Sequence, residues 1–238
     1  MPYKERLDKR KFDETRKIEA KVGVIPNADG SSYFKIGNTW AYAAVYGPRN
    51  LHPKFMQDPS KGILRCNYNM MPFSSSGERV RPGGSRRSKE ISLVTEKALL
   101  PVLDLSEYPN SVVDVFIELP QTEAGSRCAG ICAASMALAD AGLAMKDLVC
   151  AVSVGRVDDK LLVDLDYSEE NYEGIVADIP VAMMPNHDKI TLLQMDGLAS
   201  KEDLRKVLEM GKKVCKDIYE IQKKALKDKY KKEAQNEQ

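Results

Sequence analysis

The stretch Leu119–Met145 reads LPQTEAGSRCAGICAASMALADAGLAM. After the Gly-Ser-Arg triplet, alanine and other small residues dominate, which predicts a helix able to pack at close range. One reading is a loop followed by a tightly packed core helix. The other is that Gly125, Ser126 and Arg127 hold an anion at the helix N-terminus, where unpaired N–H groups and the helix dipole favour negative charge. Glycine lets a backbone approach an anion, serine offers a hydroxyl donor, and arginine adds charge-assisted bonds. Side chains this small let the helix sit deep and aim its N-terminus at a buried point.

Outward from this helix the pattern is strands followed by a helix, twice over. Upstream, KVGVIP leads through the turn signal Asn27-Ala28-Asp29-Gly30 into SSYFKIG and TWAYAAVYG. The polar loop PRNLHPKFMQDPSKG precedes ILRCNYNMM, whose alternation predicts a half-buried strand. A second polar loop, SSSGERVRPGGSRR, is followed by Ser88, an expected N-cap for a helix carrying Ile91, Val94 and Ala98 on one face and ended or bent by Pro101. SVVDVFIEL is then a strand. Downstream, LVCAVSVGRV, KLLVDLD, IVADIPVAMM and KITLLQMD read as strands. The closing helix is capped by Ser200, with Leu204, Val207, Leu208, Val214, Ile218 and Ile221 at helical spacing. These elements predict an α+β fold with an internal pseudo-repeat. Without a linker between the halves, residues 1–238 read as one domain, with a core at about 6–225 and a charged, frayed tail at 226–238.

Composition narrows the function classes. With 238 residues at 43% hydrophobic, the chain can bury a substantial core. A formal net charge of +1 excludes bulk basic attraction to nucleic acid, so any such binding needs a local cluster. No apolar run approaches the ~20 residues that span a bilayer, and the first residues lack a signal-peptide core. The five cysteines have no zinc-type pairing, which points to a reducing, cytoplasmic setting and no structural metal.

Three clusters carry candidate chemistry. Arg79, Arg81, Arg86 and Arg87 crowd a glycine-containing loop, and the last two lie beside the expected helix start. Gly125, Ser126 and Arg127 repeat that arrangement, so both helix starts could face one phosphate-rich ligand. The segment VDLDYSEENYEGIVADIP gathers Asp164, Asp166, Glu169, Glu170, Glu173 and Asp178. Most fit an acidic turn, but Asp178 lies in an apolar strand and needs a partner if buried. Carboxylates beside phosphate ligands commonly hold Mg²⁺. His52 and Lys54 could touch a phosphate backbone, or be ordinary exposed residues. Tyr68 could be core, or a base-stacking platform.

RLDKRKFDETRKIEAKVGVIPNADGSSYFKIGNTWAYAAVYGP resembles the opening of the RNase PH family, and SRRSKEI, QTEAGSR and DIPVAMMP follow in that family's order. GPRNLHPKF and MMPFS are closer to the catalytic subunit of archaeal exosomes than to the bacterial enzymes. The resemblance implies an RNase PH fold, similar to the second domain of ribosomal protein S5. It also implies 3′→5′ exoribonuclease activity by phosphorolysis, with release of nucleoside diphosphates and tail addition in reverse. Gly125, Ser126 and Arg127 match its phosphate-binding triplet, and Arg86 and Arg87 its RNA-gripping arginines. Asp178 and Glu170 match its catalytic, metal-positioning pair, while Tyr68, His52 and Lys54 fall at its RNA contacts. Implied with these are Mg²⁺ (or Mn²⁺), inorganic phosphate as co-substrate and single-stranded RNA 3′ ends. A homologous non-catalytic RNase PH-like subunit in a hexameric ring and S1/KH-type RNA-binding cap proteins would be the partners.

Two positions depart from the family pattern. Lys9 stands where its opening motif has glycine, and Glu170 replaces an aspartate at a wider spacing from Asp178. On a turn and a longer side chain, Glu170 is expected to be more mobile than Asp178 and only contributory. A non-catalytic RNA-binding ring subunit, and a bacterial-type RNase PH trimming tRNA 3′ ends, are the alternatives.

Overall fold

The computed structural model describes residues 3–75, 80–81 and 83–236, with side chains through residue 231. Arg79 lies outside the described residues. In chain order the strands are β1 (Ile18–Val22), β2 (Gly30–Ile36), β3 (Thr39–Asn50), β4 (Ile63–Met70), β5 (Ser111–Gln121), β6 (Cys150–Val157), β7 (Lys160–Val163), β8 (Val176–Met184), β9 (Lys189–Leu193) and β10 (Asp196–Gly197). The helices are α1 (Arg86–Leu99), α2 (Ser126–Asp140), α3 (Tyr167–Glu170) and α4 (Lys201–Asn236).

The first sheet has the order β1-β2-β3-β5-β4 and the second β10-β8-β6-β7, with β9 also on β8. β4 and β5 are parallel because α1 crosses between them, whereas the other pairs are antiparallel. α2 packs against β2, β3 and β5 of the first sheet and against β6 and β8 of the second. Every residue of α2 except Arg127 and Ala139 is buried. The small-residue composition follows: the helix is surrounded, and larger side chains would push the sheets apart.

Gly30 shows how close the approach is. A Cβ there would lie 2.2 Å from the backbone nitrogen of Ala141 and 2.4 Å from the carbonyl oxygen of Ala137. The glycine expected to close a turn instead starts β2, beneath the end of α2.

Two expectations need correction. The N-cap of α1 is Ser85, not Ser88, which sits at the third helical position: Ser88 N–H donates to Ser85 Oγ at 3.0 Å and Ser85 N–H to Ser88 Oγ at 2.8 Å. A serine can close a capping box in place of the usual glutamate, so the helix begins a turn earlier. The segment 226–238 is not a frayed tail up to Asn236. α4 continues to Asn236, and Lys229 Nζ donates to buried Asp140 Oδ1 at 2.8 Å. Asp140 also accepts the Ser31 N–H at 2.9 Å, so one carboxylate joins α2, β2 and the distal part of α4.

We expect Gly30→Ala to lower the unfolding free energy by about 1–3 kcal/mol, since the new methyl meets backbone rather than a movable side chain. The midpoint of urea denaturation measures it, and an unchanged midpoint would disprove the close approach.

Candidate active site

A cleft opens where the two sheets meet, lined by Gly125, Ser126, Arg127, Arg87, Glu170 and Asp178. Each side chain comes from a different kind of support. Gly125 is the N-cap of α2, in the left-handed region at φ 64, and its lack of a side chain leaves the helix start open. No acidic residue occupies the first turn of α2 or of α1, and the acid at the α2 start is Glu170, which reaches the Gly125 N–H from α3. Arg86 and Arg87 form the first turn of α1, against the preference of that end for anions. Arg87 lines the cleft, and Arg86 is exposed beside it.

Asp178 is the third residue of β8, half-buried, and takes a short hydrogen bond from Ser153 Oγ on β6. Burial pushes its carboxyl above the ordinary carboxylate range, and Asp196 on the neighbouring β10 adds repulsion. The Ser153 bond and the Arg127 charge pull it back. Glu170 shows a larger effect. Burial, then the nearness of Asp178, pushes it up to about 7, against pulls from the Gly125 N–H and the Arg16 and Arg87 charges.

The acidic segment divides into structural and cleft members. Asp164 is buried against Arg16, with Nη2–Oδ1 at 2.7 Å and Nε–Oδ2 at 2.9 Å. Asp166 caps α3, accepting the N–H groups of Ser168 at 2.8 Å and Glu169 at 2.9 Å. Glu169 is fully enclosed, paired with buried Arg6 at 2.8 Å and accepting the Tyr3 hydroxyl at 2.6 Å. Glu173 is exposed. The expectation of a mobile Glu170 is therefore corrected: it is the last residue of a short, doubly anchored helix, and its carboxylate faces Asp178.

Tyr68 offers no ring face for stacking. It is 3% exposed, and its ring lies beside Gly130 of α2. Its hydroxyl reaches the cleft wall without a hydrogen bond of normal geometry, although Ser126 is near enough to ease its ionisation against the burial that pushes it up to about 12. His52 and Lys54 are exposed on the β3–β4 loop, at the Ile63 end of β4, whereas the cleft lies at its Met70 end. β4 itself, seven steps at ~3.3 Å each, runs about 23 Å between these two ends. The structure thus gathers Arg87, Gly125, Ser126, Arg127, Glu170 and Asp178, keeps Tyr68 beneath them, and leaves His52 and Lys54 remote.

Ser153, Gln194 and Asp196 line or support the site without having stood out in the sequence. The available signal was a polar residue inside each apolar strand run, AVSVGRV and TLLQMD. Lys9 keeps the left-handed backbone, φ 62, that suits the glycine of the motif it departs from.

Anion donors and unneutralised carboxylates share this cleft, an arrangement suited to phosphate groups together with a cation. A model described as 3′ exoribonuclease family, domain 1, matches residues 14–144, and domain 2 of that family matches residues 147–214. The chain is similar to the exosome complex component Rrp41 of Methanopyrus kandleri, 49% identical over 225 residues that make up 94% of this chain and 93% of that protein. It is 51% identical over 230 residues to the Rrp41 of Pyrococcus furiosus, covering 97% of this chain and 91% of the relative. Among solved structures, rice Rrp46 superposes with a TM-score of 0.81 at 22% identity, covering 93% of this chain and 100% of that one, a likeness of fold alone. The Archaeoglobus fulgidus exosome with RNA bound to its active site gives 0.77 at 25% identity, over 91% of this chain and 92% of that one. The chain belongs to the 3′ exoribonuclease family, with the RNase PH fold.

Proposed function

We propose that the chain is the catalytic subunit of an exosome-type ring and degrades RNA from its 3′ end by phosphorolysis. The observation that carries this reading is the open N-terminus of α2, with Ser126 and Arg127, facing Glu170 and Asp178 across one cleft. Such a helix start holds inorganic phosphate without neutralising it, and carboxylates opposite it manage the leaving group.

In this reading Arg86 and Arg87 grip the 3′-terminal phosphates of single-stranded RNA, and the phosphate sits on Gly125, Ser126 and Arg127. A phosphate oxygen attacks the last internucleotide phosphorus, and the bond to the ribose O3′ breaks. The electron pair leaves on O3′, which takes a proton from the site, so the product is a nucleoside diphosphate. The reverse reaction adds 3′ tails. Holding two anionic reactants together is the main barrier, and positioning by arginines and helix dipoles lowers it. Contacts to phosphate and sugar carry no base information, so no sequence is read.

The donor set fits Mg²⁺ (or Mn²⁺). Glu170 and Asp178 repel one another, Asp196 adds to the repulsion, and among the described residues no cluster of three or more ligating side chains closes a full coordination shell. Two carboxylates plus water and phosphate oxygens suit a hard, hydrated cation. When bound, it supplies positive charge to the reacting phosphates. Glu170 stands where the family has an aspartate, and α3 brings its carboxylate to the cleft, which supports the catalytic subunit over the non-catalytic alternative.

The similarity to proteins called exosome complex components supports assembly in such a complex, and in this reading the chain joins a homologous non-catalytic RNase PH-like subunit in a hexameric ring under S1/KH-type caps. Exposed Phe55, Phe73 and Leu198 offer apolar surface for such neighbours. Five free, buried cysteines suit a reducing cytoplasm. Among the described residues no helix is long and apolar enough to cross a membrane.

Arg127→Ala should lower phosphate-dependent diphosphate release by roughly ten- to a hundredfold or more, the equivalent of one charge-assisted bond, with the fold intact. An alanine variant with normal phosphate dependence would sink the reading.

Glu170 also makes a prediction about stability. A carboxyl raised in the folded state contributes most below its unfolded value near 4.5 and loses that contribution as pH rises through about 7. In chelator at pH 8, Glu170→Gln should therefore stabilise the chain, by about 1–3 kcal/mol after allowing for partial exposure. The gain should vanish near pH 4.5, and Mg²⁺ should stabilise the parent more than the variant, as followed by thermal unfolding. A pH-independent difference would contradict the proposed repulsion.

A further inference from the structure

Arg127 has a defined partner on the opposite wall. Its Nη1 donates to Oε1 of Gln194, its one hydrogen bond from the guanidinium among the described residues. The other end of that amide, Nε2, donates at 3.2 Å to Oε1 of Glu90 on α1. The same Glu90 oxygen stands 3.8 Å from Arg127 Nη1. Gln194 directly follows β9, and its backbone N–H bonds the Pro180 carbonyl of β8 at 3.1 Å, so the amide is mounted on the sheet.

We propose that Gln194 is the positioning residue for Arg127, a neutral amide that orients the guanidinium toward inorganic phosphate and holds it off Glu90. The inference rests on the phosphorolytic reading. A guanidinium presents five donors in one plane, so fixing one nitrogen fixes the direction of the others. A carboxylate in this place would orient the group equally well but would cancel the charge that phosphate needs. The amide oxygen takes the bond and leaves the charge. Its NH₂ group meanwhile engages Glu90, an acid that would otherwise be drawn onto Arg127 and compete with the substrate. Because Gln194 enters the sheet through its backbone alone, changing its side chain leaves the strands in place.

The test is phosphorolysis by the assembled ring at varied inorganic phosphate, comparing Gln194→Ala, Gln194→Glu, Glu90→Gln, the Gln194→Ala/Glu90→Gln pair and Arg127→Ala. Gln194→Ala should raise the KM for phosphate about tenfold, with a smaller change in kcat, as for loss of one charge-assisted bond. Gln194→Glu should raise it further, and Glu90→Gln should recover part of the loss in the alanine background. RNA affinity without phosphate should stay as in the parent. A parental phosphate KM in Gln194→Ala, or equal values for the alanine and glutamate variants, would overturn the role of Gln194 while Arg127→Ala remains inactive. Phosphate dependence surviving in Arg127→Ala would overturn the phosphorolytic reading itself, and this inference with it.

Discussion

The guanidinium of Arg16 ties together the two loops on which the cleft depends. It grips both oxygens of buried Asp164 and also donates to the Ala124 carbonyl at 3.2 Å, one residue before Gly125. Asp164 introduces the turn that leads to α3, and Ala124 introduces α2. One side chain from the N-terminal segment therefore fixes the spacing between the carboxylate of Glu170 and the helix start opposite. The linkage continues inward: Asp164 N–H bonds the Ser153 carbonyl at 2.7 Å, and the Ser153 hydroxyl bonds Asp178. Burying such a pair is costly, and only near-complete hydrogen bonding makes it tolerable. That condition is met here. Asp164 accepts the Arg16 backbone N–H at 2.8 Å as well, and adopts a left-handed φ of 53 to do so. Arg6 repeats the device on Glu169, with further bonds to the carbonyls of Val163 at 2.9 Å and Asp164 at 2.7 Å.

These arginines explain why the acidic segment is so long and yet places so few acids in the cleft. Asp164, Asp166 and Glu169 are spent on ion pairs and a cap, which makes a turn of irregular backbone rigid. Glu170 inherits that rigidity. The residues between Glu170 and Asp178 lie after α3, where Glu173 and Gly174 are exposed. Length is thus absorbed on the surface rather than at the carboxylate.

The elements were legible in the sequence where burial and periodicity agree. The alternation in ILRCNYNMM, the small residues of α2 and the apolar stripe of α4 each follow from packing against a single neighbouring layer, and local pattern records that directly. What escaped depends on contacts distant in sequence. Nothing local says that Lys229 meets Asp140, so α4 looked finished once its apolar stripe faded. Tyr68 sits in an alternating strand, and only the position of Gly130 decides that its ring is covered. Ser88 alone was expected to cap α1, and the cap is Ser85, with Ser88 closing the box at the third helical position. The triplet Gly125-Ser126-Arg127 was the exception, because a glycine N-cap before a helix of small residues is itself a structural statement. Gln194 and Asp196 carried little local signal, since a polar residue closing a strand usually marks its end.

The cleft is electrostatically unfinished in a consistent way. Helix starts that would be stabilised by acids carry arginines, and acids that would be stabilised by cations face one another. Each arrangement costs stability on its own, and in the proposed function phosphate at the helix ends and a divalent cation at the carboxylates would relieve it. Local rules that fail together at one place, while the surrounding ion pairs are fully satisfied, distinguish a site from a poorly packed surface. The same contrast explains the choice of partner for Arg127. Where the protein needs rigidity it gives arginine a carboxylate, as at Arg6 and Arg16. At Arg127 the hydrogen bond goes to an amide and the nearest carboxylate, Glu90, stands back at 3.8 Å, which is the arrangement that the proposed phosphate site would need.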